Sequence, residues 1–180
     1  FIYHLEDNKI AIGYVVGLDY TDPNMEPFEV FQNFKNHPFA KSLLEGGEIV
    51  SYGARAITKG GVQALPRMDM PGAVLIGDGA GTLNLPKIKG VHTAMRNGMD
   101  AAEHIMSEAK AEGFDEKVRK SSMFKELKKV RNIAPGMHWG LWIGLIIAGI
   151  ETITFGKLPW TLRNRKADYE QTKKLDEVGG

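Results

Sequence analysis

Residues 72–103, GAVLIGDGAGTLNLPKIKGVHTAMRNGMDAAE, bring together residue types that can do chemistry. Ala73-Val74-Leu75-Ile76 is a short apolar run suited to a buried strand, and it ends at Gly77-Asp78. A carboxylate at the end of a strand can accept hydrogen bonds from sugar hydroxyls. Glycines in the turn that follows let backbone approach a ligand, and a helix N-terminus presents unpaired N–H groups to anions or electron-rich rings. This is the arrangement of a nucleotide or flavin site. The spacing predicts a helix over 88–110, in which Gly90, Ala94, Gly98 and Ala102 form one row of small side chains. Glycine inside a helix costs roughly 1 kcal/mol relative to alanine, so this row is expected to lie close to a sheet or a cofactor. An ordinary turn followed by a tightly packed helix is compatible with the same residues.

The elements that must position this turn follow from periodicity. Residues 10–18 read as a strand, Pro27 opens a short amphipathic helix ending before Pro38, and residues 39–44 form another turn or two. Residues 48–57 return to strand character, and Val62 to Leu65 read as the returning strand of a hairpin across Lys59-Gly60-Gly61. A polar helix is expected around 115–130. The mixed order implies an α+β or α/β class.

Composition excludes several functions. At 180 residues with 43% apolar and 25% charged residues the chain is of ordinary globular type. A net charge of +1, with no basic cluster interleaved with aromatics, gives no reason to expect nucleic acid. Zero cysteines excludes disulfides and any cysteine-ligated zinc or iron–sulfur centre within this chain. There is no Gly-x-Ser-x-Gly elbow, and no proton-transfer constellation is visible, so no catalytic side chain is assigned. The five histidines show no metal-ligand spacing. His104 is expected to face solvent, and His92, in the first turn of its helix, is placed where a cofactor could be approached. Asp19 and Asp22 read as loop formers.

Residues 133–150, IAPGMHWGLWIGLIIAGI, carry no Asp, Glu, Lys or Arg. A helix from Met137 to Phe155 would span ~28 Å, barely the thickness of a hydrocarbon core of about 30 Å. Basic residues flank both sides: Lys128, Lys129 and Arg131 before, Lys157, Arg163, Arg165 and Lys166 after. Such symmetry suits a helix lying in the interface better than a spanning one, and a wholly buried core helix of a soluble protein is compatible with the same residues. Trp139, Trp142, Ile143, Ile146, Ile147 and Ile150 form the stripe expected to contact membrane. Gly140 and Gly144 fall on another side, for docking on protein, and Trp160 is expected to anchor at headgroup depth.

Several stretches together resemble electron-transfer-flavoprotein:ubiquinone oxidoreductase. They are Phe1-Ile-Tyr-His-Leu, Val15 to Tyr20, Leu44-Glu45-Gly46-Gly47, Tyr52 to Ala56, Gly60-Gly61, Asn84 to Gly90, His92 to Met95, Val130 to Ile133, and Pro159-Trp160-Thr161-Leu162. They run in order to about residue 168. The resemblance implies part of a glutathione-reductase-like FAD-binding fold with a quinone-binding subdomain and a membrane-surface helix. It implies residues 1–70 in the quinone or substrate subdomain, 71–114 as the second half of the FAD-binding domain, 115–168 as a helical segment with its membrane-surface helix at 137–155, and 169–180 as a polar tail. The residues it implies for FAD are Gly77, Asp78, Gly79, Gly81, Pro86, Lys89, Gly90, Val91, His92 and Thr93. Asp78 would hold ribityl or ribose hydroxyls, and N–H groups near Lys89, Gly90 and Val91 would face the ring or pyrophosphate. Helix polarity there would favour the reduced, anionic flavin.

The family's first Gly-x-Gly-x-x-Gly, its quinone-associated glycine pair and its cysteine-rich module for a four-iron cluster have no counterpart here. The chain therefore reads as the middle-to-late portion of such an enzyme: a truncated piece, a gene fragment or one subunit of a split enzyme. Alone it is expected to be inactive, with further chains or segments supplying the rest. Implied partners are reduced electron-transfer flavoprotein, ubiquinone or a related quinone, and a membrane surface. That surface would be the bacterial inner membrane (cytoplasmic face) or the mitochondrial inner membrane. Alternatives are a flavoprotein of the geranylgeranyl-reductase type and a non-catalytic membrane-anchoring subunit.

Overall fold

A computed structural model describes residues 1–163 and 166–178. Arg165 of the basic flank and residues 179–180 of the polar tail lie outside the described residues. The chain divides into two compact units, Phe1–Gly53 with Arg165–Gly180, and Ala54–Asn164. Helices combine with two small antiparallel sheets, an α+β arrangement.

In the first unit, β1 (Ile2–His4) pairs antiparallel with β2 (Ile10–Ile12), Ile2 facing Ile12 and His4 facing Ile10. The strand expected over 10–18 stops at Ile12. Gly13 donates its N–H to the Phe1 carbonyl, and the Phe1 ring occupies the space a side chain would need there. Beyond that point no partner strand continues the ladder among the described residues. Helix α1 (Pro27–Asn36) begins at proline as expected, and α2 (Pro38–Leu44) takes in Pro38, one residue before the expected Phe39. His37 between them is extended, which a residue preceding proline favours, and its Nδ1 accepts from the Phe39 N–H at 3.3 Å. Asp22 Oδ1 accepts from the Asn24 N–H, forming the expected loop turn. Thr172 and Lys173 donate to the carbonyls of Tyr20 and Thr21.

Residues 48–57 form no strand, and Ile49, Val50 and Tyr52 are exposed. The β-branched composition is there, but a strand without a partner leaves its backbone groups unpaired. Gly61–Ala64 is a 3-10 turn, not the second arm of a hairpin.

The second unit is built on α3 (Val91–Glu108), α4 (Phe114–Lys120) and α5 (Ser122–Lys128). Their shared core contains Met68, Ala80, Ala101, Phe114, Val118, Met123 and Leu127, with Val62, Leu65 and Val74 packed against it. The polar helix expected at 115–130 is broken at Ser121, whose Oγ accepts from the Phe124 N–H and starts α5. Asp69 reaches across to the start of α4: its Oδ2 accepts from the Gly113 and Asp115 N–H groups at 2.7 and 3.2 Å. The Arg67 guanidinium bonded to Asp69 Oδ1 and those N–H groups hold its carboxyl below the usual range.

The apolar segment also divides. Helices α6 (Ile133–Met137) and α7 (Leu141–Ile153) pack on each other, with the break at Gly140, φ +99°. Few residues other than glycine adopt that conformation, so one continuous helix over 137–155 is corrected to a short helix, a hinge and a 13-residue helix. Gly144 lies against Met137, and Gly136 against Ile147, so the small residues do allow close packing. Among the described residues no helix is long and apolar enough to cross a membrane.

Candidate functional site

The strand leading to Gly77-Asp78 is shorter than its composition implies. β3 (Asp69–Met70) and β4 (Ala73–Val74) form a two-residue ladder, extended by the Leu75 N–H bonding the Met68 carbonyl. Leu75 and Ile76 are exposed rather than buried, because no strand covers their other side among the described residues. Gly77–Ala80 is a 3-10 turn, tied to α3 where the Gly77 N–H donates to Asn97 Oδ1 at 2.9 Å.

The small row on α3 works over half its length. Gly77 lies against Ala94, and a Cβ on Gly90 would fall 2.9 Å from Asp78 Oδ1. Gly98 meets nothing within 4 Å, and Ala102 is exposed. The face that α3 buries is instead polar: Thr93, Asn97, Asp100 and His104, with Ala101. His104 is therefore corrected from solvent-facing to buried. Its Nε2 meets the Glu112 carbonyl at 3.1 Å and its ring packs on Phe114.

Gly77 and Asp78 thus lie against the start of α3, Gly77 beside Ala94 and Asp78 beside Gly90, while Gly79 continues the exposed 3-10 turn next to them. The Gly90 cap position supplies no side-chain cap, so the helix opens with N–H groups unclaimed by any side chain. Thr93 is buried and its Oγ1 donates back to the Gly90 carbonyl at 2.7 Å. Lys89 and Val91 are exposed beside it. Gly81, which caps the 3-10 turn, is buried with its Cβ position against Thr58. Pro86 sits in the 3-10 turn Leu85–Lys87 and lines a small cavity with Val62, Leu127 and Ala134 and with the charged residues Lys59 and Arg131.

His92 turns its ring elsewhere: Nε2 lies 3.0 Å from Glu126 Oε1. The same oxygen accepts from Asn84 Nδ2 and Lys87 Nζ, both at 2.8 Å. Burial works against the charge on Glu126, but bonds from Lys87, His92 and Asn84 overcome it and lower the carboxyl from 4.5 to about 2. Glu126 was not legible as a site residue, since it lies 34–42 positions from its partners.

A second polar centre joins two of the stretches that carried the resemblance. Arg131 donates from Nε to Thr161 Oγ1, from Nη1 to the Lys128 and Gly156 carbonyls, and from Nη2 to those of Leu158 and Trp160. Asn132 donates to the Trp160 carbonyl and accepts from the Leu162 N–H. Glu151, fully buried on α7, sits 3.7 Å from Arg131 Nη1, and neither carboxylate oxygen has a hydrogen-bond partner.

The outer face of α7 is inverted relative to a helix in water. It buries Gly144 and Glu151 while Leu141, Trp142, Ile143, Leu145, Ile146, Ile150 and Ile153 are exposed. Of the expected stripe, Trp139 lies outside the helix in the turn before Gly140, and Ile147 is partly buried against Gly136.

Residues 1–57 match the family model described as "ETF-QO, ubiquinone-binding". The chain is 41% identical over 98% of its length to "Electron transfer flavoprotein-ubiquinone oxidoreductase, mitochondrial" of Dictyostelium discoideum. It is 45% identical to the protein of that name from Arabidopsis thaliana and 42% to that of Rattus norvegicus, over 96% of the chain in each case. The family resemblance is borne out. The match covers 33%, 28% and 31% of these oxidoreductases respectively, so the chain spans about a third of the length of the curated relatives it matches.

Proposed function

We propose that the chain is part of a membrane-associated flavoprotein that passes electrons from reduced electron-transfer flavoprotein to ubiquinone or a related quinone. The observation that carries this is its 41–45% identity, over nearly its whole length, to oxidoreductases whose name states that reaction. The match of residues 1–57 to the ubiquinone-binding family model supports quinone contact by that part of the chain.

The edge formed by Gly77, Asp78, Gly79 and Gly90 fits a flavin. The missing Cβ at Gly90 lets the Asp78 carboxylate lie beside the helix start, that carboxylate has no hydrogen-bond partner among the described residues, and the start of α3 is uncapped. FAD bound there supplies the electron relay between donor and quinone. Asp78 would hold sugar hydroxyls, while Gly90, Val91 and Thr93 would offer backbone N–H groups at the positive end of α3, with Lys89, its own N–H bonded to the Asn84 carbonyl, flanking them. His92 contributes through its backbone, because its ring is engaged by Glu126. Gly81 and Pro86 shape the supporting turns. The rest of a glutathione-reductase-like site, and the cysteine ligands of an iron–sulfur cluster, come from outside this chain, which has no cysteine.

The exposed apolar face of α7, with Trp142, Ile143, Ile146 and Ile150, rests in the membrane interface together with Trp139 from the preceding turn, and Trp160 anchors at headgroup depth. Ile147 supports that face from beneath.

The test is a purified full-length protein. It should carry FAD and reduce a soluble quinone analogue when supplied with reduced electron-transfer flavoprotein. Gly90→Val should abolish the visible flavin absorbance without unfolding the protein. A wild-type preparation without flavin, or a Gly90→Val variant that keeps it, would overturn the reading.

A further inference from the structure

We propose that Glu126 is a positioning residue for the cofactor edge, fixing the Asn84–Lys89 loop against the first turn of α3. The proposal rests on the flavin reading above and adds to it a residue that no motif assigns.

The geometry is that of a clamp on a rigid base. Glu126 stands on α5 between Met123 and Leu127, both buried in the core. Its Oε1 takes Asn84 Nδ2 and Lys87 Nζ from the loop and His92 Nε2 from α3. Asn84 is fully buried and bridged to Lys89 in both directions: its N–H donates to the Lys89 carbonyl, and its own carbonyl accepts from the Lys89 N–H. Holding Asn84 therefore holds Lys89, and holding His92 fixes the other side. Gly90 and Val91 lie between these points. One oxygen thus sets the spacing of the backbone groups that would face the cofactor.

Charge gives the clamp a second effect. Glu126 draws the side chains of Lys87 and His92 toward α5, so the edge near Gly90 is polarised by backbone N–H groups, with Asp78 and the exposed Lys89 the titratable residues next to it. Removing the Glu126 charge leaves the neighbouring cation unopposed. A reduced flavin carries more negative charge than an oxidised one, so its potential must rise. Removing Lys87 instead must lower it.

The experiment uses the full-length protein with FAD bound. Flavin affinity is measured by fluorescence titration of the apoprotein and midpoint potential by spectroelectrochemistry, alongside thermal unfolding. Glu126→Gln is expected to weaken FAD binding about fivefold, the equivalent of roughly one net hydrogen bond, and to move the potential positive. Lys87→Met is expected to move it negative, and this variant decides the matter if Glu126→Gln does not fold. Wild-type affinity and potential in Glu126→Gln, or an unmoved potential in Lys87→Met, overturn the proposal while the flavin reading stands. A wild type without flavin overturns that reading and this proposal together.

Discussion

Arg131 and Glu126 organise their surroundings by the same device with opposite charge, and the difference between them lies in solvent and in what they gather. The Arg131 side chain is 8% exposed and collects main-chain carbonyls from residues 128, 156, 158 and 160. That of Glu126 is 28% exposed and collects side-chain donors from residues 84, 87 and 92. A buried cation bonded to backbone dictates the path of the chain. A half-exposed anion bonded to side chains tunes the placement of a loop whose path is already set. The first belongs to the fold, the second to the site.

The largest effect should come from the buried centre. Arg131→Met removes the donors for the 156–161 loop and strands Glu151 without its cation. It is expected to cost about 3–5 kcal/mol, read from urea unfolding, with the Leu162 amide losing hydrogen-exchange protection. A loss below that of a surface pair would break the comparison. Arg131→Lys keeps the charge but cannot reach all the carbonyls, and should lie between wild type and methionine. Glu126→Ala is expected to cost about 1–2 kcal/mol in the same assay, because water can replace part of what is lost. Lys117→Met, which breaks an exposed pair with Glu103 at 3.5 Å, should stay within about 0.5 kcal/mol.

Acid sharpens the same contrast. The Glu126 carboxyl is lowered in the folded state, from 4.5 to about 2. Its contribution is therefore fully present above 4.5 and is lost as pH falls through about 2. Melting curves of wild type and Glu126→Gln should converge across that window. A gap that stays constant from neutral pH down to 2 would show that charge plays no part in the clamp.

How far the sequence could be read follows the range of the interactions. The Gly77-Asp78 turn and α3 were legible because spacing along one segment encodes them, and Pro27 and Pro38 marked their helices for the same reason. Residues 14–18 and 48–57 have strand composition but no partner, and partnership is not written in a local window. The break at Gly140 hides inside an uninterrupted apolar run, where hydropathy reads straight through a backbone hinge. His104 was misplaced because Glu103 beside it suggested a wet face, whereas Phe114 and the Glu112 carbonyl cover the histidine. The bonds of Glu126, the α4 contacts of Asp69 and the Arg131–Glu151 pair act across 20 to 46 positions, a separation with no periodic signature.

The hinge at Gly140 carries one more consequence. It leaves α7 as a rod of 13 residues, about 20 Å long, ending two residues beyond a buried carboxylate. Replacing Gly140 with alanine would disfavour the bend and favour a longer, stiffer rod made by joining α6 to α7. Such a rod would carry Glu151 away from Arg131, so the short arm and its charged counterweight stand or fall together.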